Sequence, residues 1–280
     1  MPESCNSPLA AVWKNSIIRT KGDDGVEDLC VGDVKASLRA VCGAQITIQA
    51  EETVDSTNLR LKEWSRQGRI RAPYLLCAGC QTAGRGRLGR AFISPPDTGL
   101  YMSLLADGSG EPGRITVLAA VAVCRAIEDL TPLRPKIKWV NDLFVRGRKV
   151  CGILAEKTEN GVIIGIGVNV RTPPGGFPAE AGVAGALDAD VSRSRLAGRI
   201  AGYLLRGLAH LRDPAILDAY RQRMPLIGRE ISYARQGQTK NARVTGVSDD
   251  GGLMIDGPDG PDVLRSGEIS LGSQSFAGLE

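Results

Sequence analysis

Residues 137–170 read IKWVNDLFVRGRKVCGILAEKTENGVIIGIGVNV, a stretch that predicts consecutive β-strands. We expect strands at Ile137–Trp139, Asp142–Val145, Val150–Lys157 and Val162–Val170. Apolar and β-branched residues are concentrated in these segments, which favours strands over helices. Arg146-Gly147 and Asn160-Gly161 fit the two-residue turns of β-hairpins. The stretch therefore predicts strands that pair with their neighbours in one sheet.

Helical patterns surround this predicted sheet. Asp55 or Ser56 can cap a helix that ends at Gly68. A long apolar helix is expected at about 115–130, and a later segment has apolar residues at helical spacing from Leu196 onward. Asp213-Pro214 has the composition of another helix start. We predict an α/β (α+β) fold in which helices pack against a mixed sheet.

The two ends of the chain differ from this central part. Residues 1–32 carry balanced charge with little periodicity, so a loosely ordered N-terminal tail is expected there. From about Ile227, short strand patterns alternate with turns such as Asp249-Asp250-Gly251-Gly252, which predicts a small β-barrel. The predicted division is a tail at 1–32, a catalytic domain at 33–225 and a β-barrel at 226–280.

Composition limits the possible classes of function. The chain has 280 residues, 42% of them hydrophobic, so it can bury a full core. Its net charge of +4 is too small for nucleic-acid binding by charge alone. The longest apolar run is far shorter than the ~20 residues of a membrane helix, and the N-terminus lacks a secretory signal pattern. We expect a cytoplasmic protein with neither a membrane nor a nucleic-acid partner.

Seven cysteines are scattered along the chain, which favours reduced thiols over a disulfide framework. Cys77 and Cys80 form a CxxC pair. A zinc site would need two more ligands, and the one histidine, His210, lies in an apolar helical segment. A thioredoxin-like pair stands at a helix start, whereas this pair ends a strand pattern. A structural role is therefore predicted.

Residues 81–90 read QTAGRGRLGR, with three arginines set among glycines. Glycine lets backbone N–H groups approach an anion, and guanidinium groups bind its oxygens bidentately. The segment matches GxGxxG, yet a dinucleotide fold requires a helix at these glycines, and Pro95 and Pro96 follow closely instead. A loop that closes over phosphate and a solvated basic loop are both possible interpretations.

Lys149 stands where a strand restarts after the Arg146-Gly147 turn, directly before an apolar run. A lysine that enters a buried sheet needs an anionic partner, which a bound carboxylate or phosphate can supply. Fixed cations lower the repulsion when a carboxylate attacks a phosphoryl group. The residues therefore favour adenylation of a carboxylic acid. Asn141 and Asp142 could hold Mg²⁺ near the phosphates, or could form an ordinary turn.

Six motifs occur in an order that resembles the biotin protein ligases, and the match covers about Asp33 to the C-terminus. They are Asp55-Ser56-Thr57-Asn58, residues 81–90 with Ser94-Pro95, residues 138–142, Arg148-Lys149 with Gly152-Ile153-Leu154, residues 165–169, and Gly267-Glu268-Ile269-Ser270. The resemblance implies a catalytic domain like that of class II synthetases and an SH3-like C-terminal barrel. It also implies the monofunctional type, because the chain before Asp55 has little room for a helix-turn-helix module.

The resemblance further implies an ATP-dependent ligase that forms biotinyl-5′-AMP and transfers biotin to a lysine of a carrier domain. That carrier would be the biotin carboxyl carrier domain of acetyl-CoA carboxylase or a related carboxylase. ATP and biotin would be substrates, Mg²⁺ a cofactor, and the protein a monomer or homodimer. Two alternatives remain open: a lipoate or octanoate ligase or transferase of the same fold, and a bifunctional ligase and DNA-binding repressor.

Site residues follow from the same resemblance, with Lys149 and Arg87 as the catalytic pair. The C-terminal barrel would help to bind ATP and the acceptor, with Glu268 near the interface, or would be a plain structural cap. The implied biotin contacts are Ser56, Thr57, Asn58, Gln81, Arg85, Gly86, Arg87, Lys149, Gly152 and Gly165. The implied ATP and phosphate contacts are Arg85, Arg87, Arg90, Lys138, Trp139, Asn141, Asp142 and Asn169. Asn141 and Asp142 are also the implied Mg²⁺ ligands. Gly152 and Gly165 would let the backbone approach biotin, or would serve tight packing within the sheet.

Overall fold

The computed structural model describes residues 17–21, 27–108, 111–235, 237–267 and 269–270. The helices are α1 (Val31–Arg39), α2 (Thr57–Arg66), α3 (Pro112–Leu130), α4 (Arg193–Leu208) and α5 (Pro214–Arg223). The first strands are β1 (Ile17–Lys21), β2 (Glu27–Cys30), β3 (Thr47–Val54), β4 (Tyr74–Gln81), β5 (Gly99–Ala106), β6 (Lys136–Lys138), β7 (Asp142–Val145), β8 (Arg148–Thr158) and β9 (Gly161–Asn169). The last are β10 (Glu230–Arg235), β11 (Gln238–Val247), β12 (Leu253–Gly257), β13 (Gly260–Leu264) and β14 (Ile269–Ser270).

A seven-stranded sheet forms the centre of the larger domain, in the order β3-β4-β5-β9-β8-β7-β6. Strands β3 and β4 are parallel and the other neighbours are antiparallel, so the predicted mixed sheet is confirmed. Arg146 and Gly147 join β7 to β8 with φ angles of 50° and 69°. Both central residues of a type I′ turn require positive φ, so this predicted hairpin is also confirmed.

The two faces of the sheet carry different layers. Strand residues alternate between the faces, and Leu75 and Cys77 belong to a large apolar core with α1, α3, α4 and α5. On the opposite face, Leu76 packs with Leu61 and Trp64 of α2. A single short helix covers only part of that face. On this side of the sheet, which we call the α2 face, there is therefore room for a cavity above β5, β9 and β8.

The N-terminal segment differs from the loosely ordered tail expected for residues 1–32. Strands β1 and β2 pair antiparallel, and α1 begins at Val31. Leu29 is buried, and the backbone N–H of Cys30 donates to Ser194 Oγ at 2.7 Å. These partners are distant in sequence, so local periodicity gave no signal of them. The rest of 1–32 lies outside the described residues.

The C-terminal domain is a five-stranded antiparallel sheet in the order β13-β12-β11-β10-β14, which confirms the predicted all-β domain. Hydrogen bonds from Trp139 and Arg221 join it to the larger domain. Trp139 Nε1 donates to the carbonyl of Gly251 at 3.0 Å, and an Arg221 guanidinium nitrogen donates to the carbonyl of Val247 at 2.6 Å. The small domain is thus fixed beside the turn that follows β6.

Within the described residues, no helix combines the length and the apolar character needed to cross a membrane.

Candidate active site

A cavity of about 630 Å³ lies on the α2 face of the sheet. Every residue that the sequence predicted to contact biotin or ATP lines it. These are Ser56, Thr57, Asn58, Gln81, Arg85, Gly86, Arg87, Arg90, Lys138, Trp139, Asn141, Asp142, Lys149, Gly152, Gly165 and Asn169. Residues from several separate parts of the chain meet there, including Gly267 and Ile269 of the C-terminal domain. The fold thus gathers the predicted residues into one place.

One end of the cavity is formed by four hydrogen-bonding side chains, which we call the polar wall: Ser56, Thr57, Asn58 and Gln81. Thr57 and Asn58 stand on the first turn of α2, and Ser56 occupies its N-cap position. The backbone N–H of Thr57 donates to Gln81 Oε1 at 2.9 Å, and the Thr57 hydroxyl oxygen lies 3.1 Å from the same atom. Gln81 Nε2 donates to Ser94 Oγ at 2.9 Å, which fixes the orientation of the amide. Ser56, at the N-cap position, makes no capping hydrogen bond with its side chain.

Asn58 is held by groups from three neighbouring strands. Its Nδ2 donates to Glu156 Oε2 at 2.9 Å and to the carbonyl of Leu154 at 3.3 Å. Its Oδ1 accepts from Ser103 Oγ at 2.6 Å. A Cβ added to Gly165 would lie 2.1 Å from Asn58 Oδ1. In this structure, therefore, Gly165 makes room for the Asn58 side chain.

Phe92 occupies a shelf formed by two glycines that face each other across β8 and β9. A Cβ on Gly167 would lie 2.4 Å from the Phe92 ring, and one on Gly152 would lie 3.1 Å from it. The ring also meets Tyr101 edge to face at a centroid distance of 6.4 Å. Burial raises the pKa of Tyr101 to about 12, so its hydroxyl stays protonated and donates to the carbonyl of Pro95.

Sequence reasoning did not assign a role to Phe92 or to Gly167. A signal was available, because Gly165 and Gly167 are two residues apart in a strand and must point to the same face. Two residues without side chains on one face predict a shelf that another group fills. Phe92 was not predictable as that group, since it comes from a loop more than seventy residues earlier in the chain.

The other end of the cavity, which we call the cation end, consists of Arg87, Asn141, Asp142 and Lys149. An Arg87 guanidinium nitrogen donates to Asn141 Oδ1 at 3.1 Å, and Lys149 Nζ lies 2.8 Å from Asp142 Oδ1. The side chains of Lys149 and Asp142 are 32% and 22% exposed, so water weakens their attraction. Two consecutive residues after β6 thus hold both of the cations predicted to be catalytic.

The glycine- and arginine-rich loop at residues 81–90 forms a compact turn in this structure. The N–H of Gly86 donates to the carbonyl of Arg90 at 2.8 Å, and that of Phe92 donates to the carbonyl of Gly84 at 2.9 Å. A Cβ on Gly84 would lie 2.3 Å from the Phe92 carbonyl oxygen, so the turn requires glycine there. Leu88 at the tip has φ of 55° and is 72% exposed.

Asn141 and Asp142 do not fit a dedicated magnesium site. The Asn141 amide already donates from Nδ2 to the carbonyl of Ile153 and accepts from Arg87, while Asp142 pairs with Lys149. No three His, Cys, Asp or Glu side chains cluster in a metal-binding arrangement within the described residues. One carboxylate that is paired with a lysine, beside an amide that is already hydrogen-bonded on both sides, lacks the oxygen ligands that Mg²⁺ needs.

A segment without assignments from the sequence borders the cavity beside Lys149. The Lys149 N–H donates to the carbonyl of Val183 at 2.9 Å, and the N–H of Gly185 donates to the Lys149 carbonyl at 2.9 Å. Asn169 Nδ2 donates to the carbonyl of Gly185 at 2.9 Å. The residues of this segment that line the cavity are Phe177, Glu180, Ala181 and Ala184.

The CxxC pair has the properties expected of structural cysteines. Both thiols are free. Burial raises the pKa of Cys77 to about 12, and burial together with nearby Asp97 raises the pKa of Cys80. A protonated thiol is a poor nucleophile and a poor metal ligand.

Comparison with known families identifies the class to which this fold and cavity correspond. Residues 50–171 match the model of the biotin/lipoate A/B protein ligase family, and residues 226–272 match the biotin protein ligase C-terminal domain. The biotin--[acetyl-CoA-carboxylase] ligase of Paracoccus denitrificans is 30% identical over 217 residues, which are 69% of this chain and 88% of that protein. The chain belongs to the biotin protein ligase family.

Two further proteins resemble this chain, one in fold and sequence and one in sequence. A solved structure of the Aquifex aeolicus biotin protein ligase in complex with biotin and ATP has a TM-score of 0.67 and 29% identity, covering 80% of this chain and 97% of that one. The bifunctional ligase/repressor BirA of Bacillus subtilis is 30% identical over 224 residues. That match covers 71% of this chain, and the chain spans 66% of the length of the Bacillus relative.

Proposed function

We propose that this protein is an ATP-dependent ligase that activates biotin as biotinyl-5′-AMP and transfers it to a lysine of a carrier domain. The observation that carries the proposal is a single cavity lined by both the polar wall and the cation end. The two meet strand β8 at different points: Asn58 donates to Leu154 and Glu156, whereas a Cβ on Gly152 would lie 3.6 Å from Lys149 Cε. A biotin molecule offers a ureido ring with donors and acceptors at one end and a carboxylate at the other. The complementary groups lie in the same order within the cavity.

The reaction has two steps. A biotin carboxylate oxygen attacks the α-phosphorus of ATP, and the bond to the β-phosphate oxygen breaks to release pyrophosphate. The carrier lysine, as a free amine, then attacks the biotinyl carbonyl carbon, loses a proton and releases AMP. Lys149 and Arg87 stabilise negative charge on the carboxylate and the α-phosphate, and neither becomes covalently attached.

Before substrates bind, Lys149 is paired with Asp142 and Arg87 donates to the amide of Asn141. An incoming carboxylate or phosphate displaces Asn141 from Arg87, since a full negative charge binds a guanidinium more strongly than an amide oxygen does. Lys149 has three N–H donors, so it can bind the same anion while it stays paired with Asp142. Mg²⁺ enters as part of the substrate MgATP, because the protein side chains here supply too few free oxygen ligands to hold it alone.

We further propose that the division into a catalytic domain at 33–225 and a small domain at 226–280 has a functional purpose. Gly267 and Ile269 of the small domain border the cavity that contains Lys149. This placement supports a role in covering ATP or in receiving the carrier. Glu268, expected at this interface, lies outside the described residues.

The test uses the purified protein with biotin, MgATP and a biotin carboxyl carrier domain of a carboxylase. The mass of the carrier should rise by one biotinyl group, and a carrier whose target lysine is changed to arginine should show no gain. The same assay with lipoate or octanoate tests the alternative substrates. A carrier that gains lipoyl or octanoyl groups but no biotin would refute the proposal.

A further inference from the structure

Ser103 lies behind the polar wall, on the central strand β5, and none of its surface is exposed. A buried hydroxyl must find hydrogen-bond partners, or the fold is destabilised by its desolvation. Ser103 Oγ lies 2.7 Å from Thr57 Oγ1 and 2.6 Å from Asn58 Oδ1. Its partners are thus two members of the wall, forty-five or more residues away in sequence.

The single hydroxyl proton of Ser103 determines how these partners are oriented. Asn58 Oδ1 can only accept a hydrogen bond, so the Ser103 proton goes to Asn58. The Ser103 oxygen is then left to accept from the Thr57 hydroxyl, whose contact with Gln81 Oε1 is longer, at 3.1 Å. With its proton turned toward the strand, Thr57 presents lone pairs to the cavity.

Asn58 is fixed from its other side as well. Glu156 Oε2 and the carbonyl of Leu154 accept from Nδ2, which assigns the amide nitrogen to that side and the oxygen to Ser103. Both amide protons are used, so Asn58 offers the cavity an acceptor and no donor. The side of the wall formed by Thr57 and Asn58 therefore consists of hydrogen-bond acceptors, which suits a ring that carries N–H groups.

We propose that Ser103 is a positioning residue for substrate recognition: it fixes the hydroxyl of Thr57 and the amide of Asn58 so that the wall accepts hydrogen bonds from a ring with N–H groups. This inference rests on the proposed function. Ser103 does not touch the substrate or the reacting atoms. It acts by removing rotational freedom from two side chains before the ligand arrives, which lowers the entropy lost on binding.

Ser103→Ala tests this role in biotin-dependent exchange of pyrophosphate into ATP. The KM for biotin should rise about three- to tenfold, the range that corresponds to one net hydrogen bond. The KM for ATP and kcat should stay within about twofold of the unmodified protein, because the cation end is unchanged. A purely structural role would change both KM values and kcat together, or would change only the melting temperature.

Ser65→Ala is the matched control. Ser65 is another buried serine, on α2, and its hydroxyl accepts from Asn160 Nδ2 at 3.2 Å. The Ser65→Ala variant should leave the KM for biotin unchanged. Ser103→Cys keeps a donor on the same carbon, although the sulfur is larger and donates more weakly, so it should show the same split between the two KM values and replaces the alanine variant if that variant does not fold.

The outcomes separate this inference from the function on which it rests. If the unmodified protein shows no biotin-dependent exchange, the proposed function fails. If it shows exchange, and the Ser103 variants keep the KM for biotin within twofold or raise both KM values equally, the positioning role alone is overturned.

Discussion

The polar wall and the cation end line the same cavity but are built differently. The wall stands on the first turn of α2 and is fixed by hydrogen bonds to β4, β5 and β8, with Ser56, Thr57 and Asn58 at most 4% exposed. In the cation end, Arg87 and Asn141 lie in a loop and a turn, whereas Asp142 and Lys149 stand on β7 and β8, and the Lys149–Asp142 pair is partly exposed. The recognition groups are thus tied to the sheet by hydrogen bonds, whereas the cation end also takes Arg87 from a loop and is more open to water.

This difference is consistent with what each end must do in the proposed reaction. A ring that does not change during catalysis is best held by groups that are oriented in advance, since no reorganisation is then needed. Groups around a phosphate that loses pyrophosphate must adjust as charge moves. Changes at the two ends should therefore have separable effects on KM and kcat.

Lys149→Ala should have the largest effect. Because it removes a fixed cation from the point where carboxylate and phosphate meet, biotin-dependent exchange of pyrophosphate should fall by roughly 100- to 1000-fold while the protein stays folded. Lys157→Ala, an exposed lysine on the same strand, is the control and should keep full exchange. Full exchange in the Lys149 variant would contradict its assignment to the reacting end.

Gly165→Ala should have the next largest effect, and it should act on the wall. The new Cβ would lie 2.1 Å from Asn58 Oδ1, so Asn58 must move. We expect a loss of about 1–3 kcal/mol in the free energy of unfolding, as for other overpacked cores. The KM for biotin should rise about tenfold, with a smaller change in the KM for ATP.

Gly43→Ala supplies the control for the glycine change, since a Cβ there meets nothing within 4 Å. Denaturant unfolding measures the stability of both variants, and exchange kinetics measure the two KM values. A Gly165 variant with unmodified stability and KM would show that Asn58 is not packed against this position.

Trp139→Phe should have the smallest effect on catalysis and should act on the joint between the domains. It removes the indole donor to the buried carbonyl of Gly251. Leaving that acceptor without a partner should reduce the free energy of unfolding by about 1–3 kcal/mol, while the KM for biotin stays constant. Trp64→Phe is the control: it removes the same volume from the other face of the sheet, and no hydrogen bond between the domains is lost. Equal kinetic and thermal effects in both variants would argue against a role for Trp139 in the joint.

Local signals in the sequence were reliable at several short segments that set their own conformation. They were less exact for α2, where Ser56 makes no capping bond with its side chain, and for the β8–β9 hairpin, where Gly161 pairs with Thr158 and already belongs to β9. Asp213 caps α5 by accepting from the N–H of Ala215, Gly68 stops α2 with φ of 68°, and the Arg146-Gly147 turn forms as predicted. Helix caps and tight turns depend on a few neighbouring residues, so they can be recognised without the rest of the chain.

Contacts between distant segments were not predictable from those signals. The strand pair before α1 is joined to α4 by the hydrogen bond from the Cys30 backbone N–H to Ser194 Oγ. The glycine shelf is filled by Phe92 from a remote loop. Gly165 was left with two possible roles, and the structure shows it packed against Asn58. Each of these features needs two partners, and a sequence pattern describes only one of them at a time.

By itself, the sequence determined the mixed sheet with its helices, the all-β C-terminal domain and many of the residues that line the cavity. Only the tertiary structure decided how those residues are oriented: Ser103 behind Thr57 and Asn58, Asp142 beside Lys149, and Asn141 beside Arg87. The physical reason is that residue type and spacing fix which groups are available. Direction and charge balance, by contrast, depend on hydrogen bonds and ion pairs that form only when separate strands and loops come together.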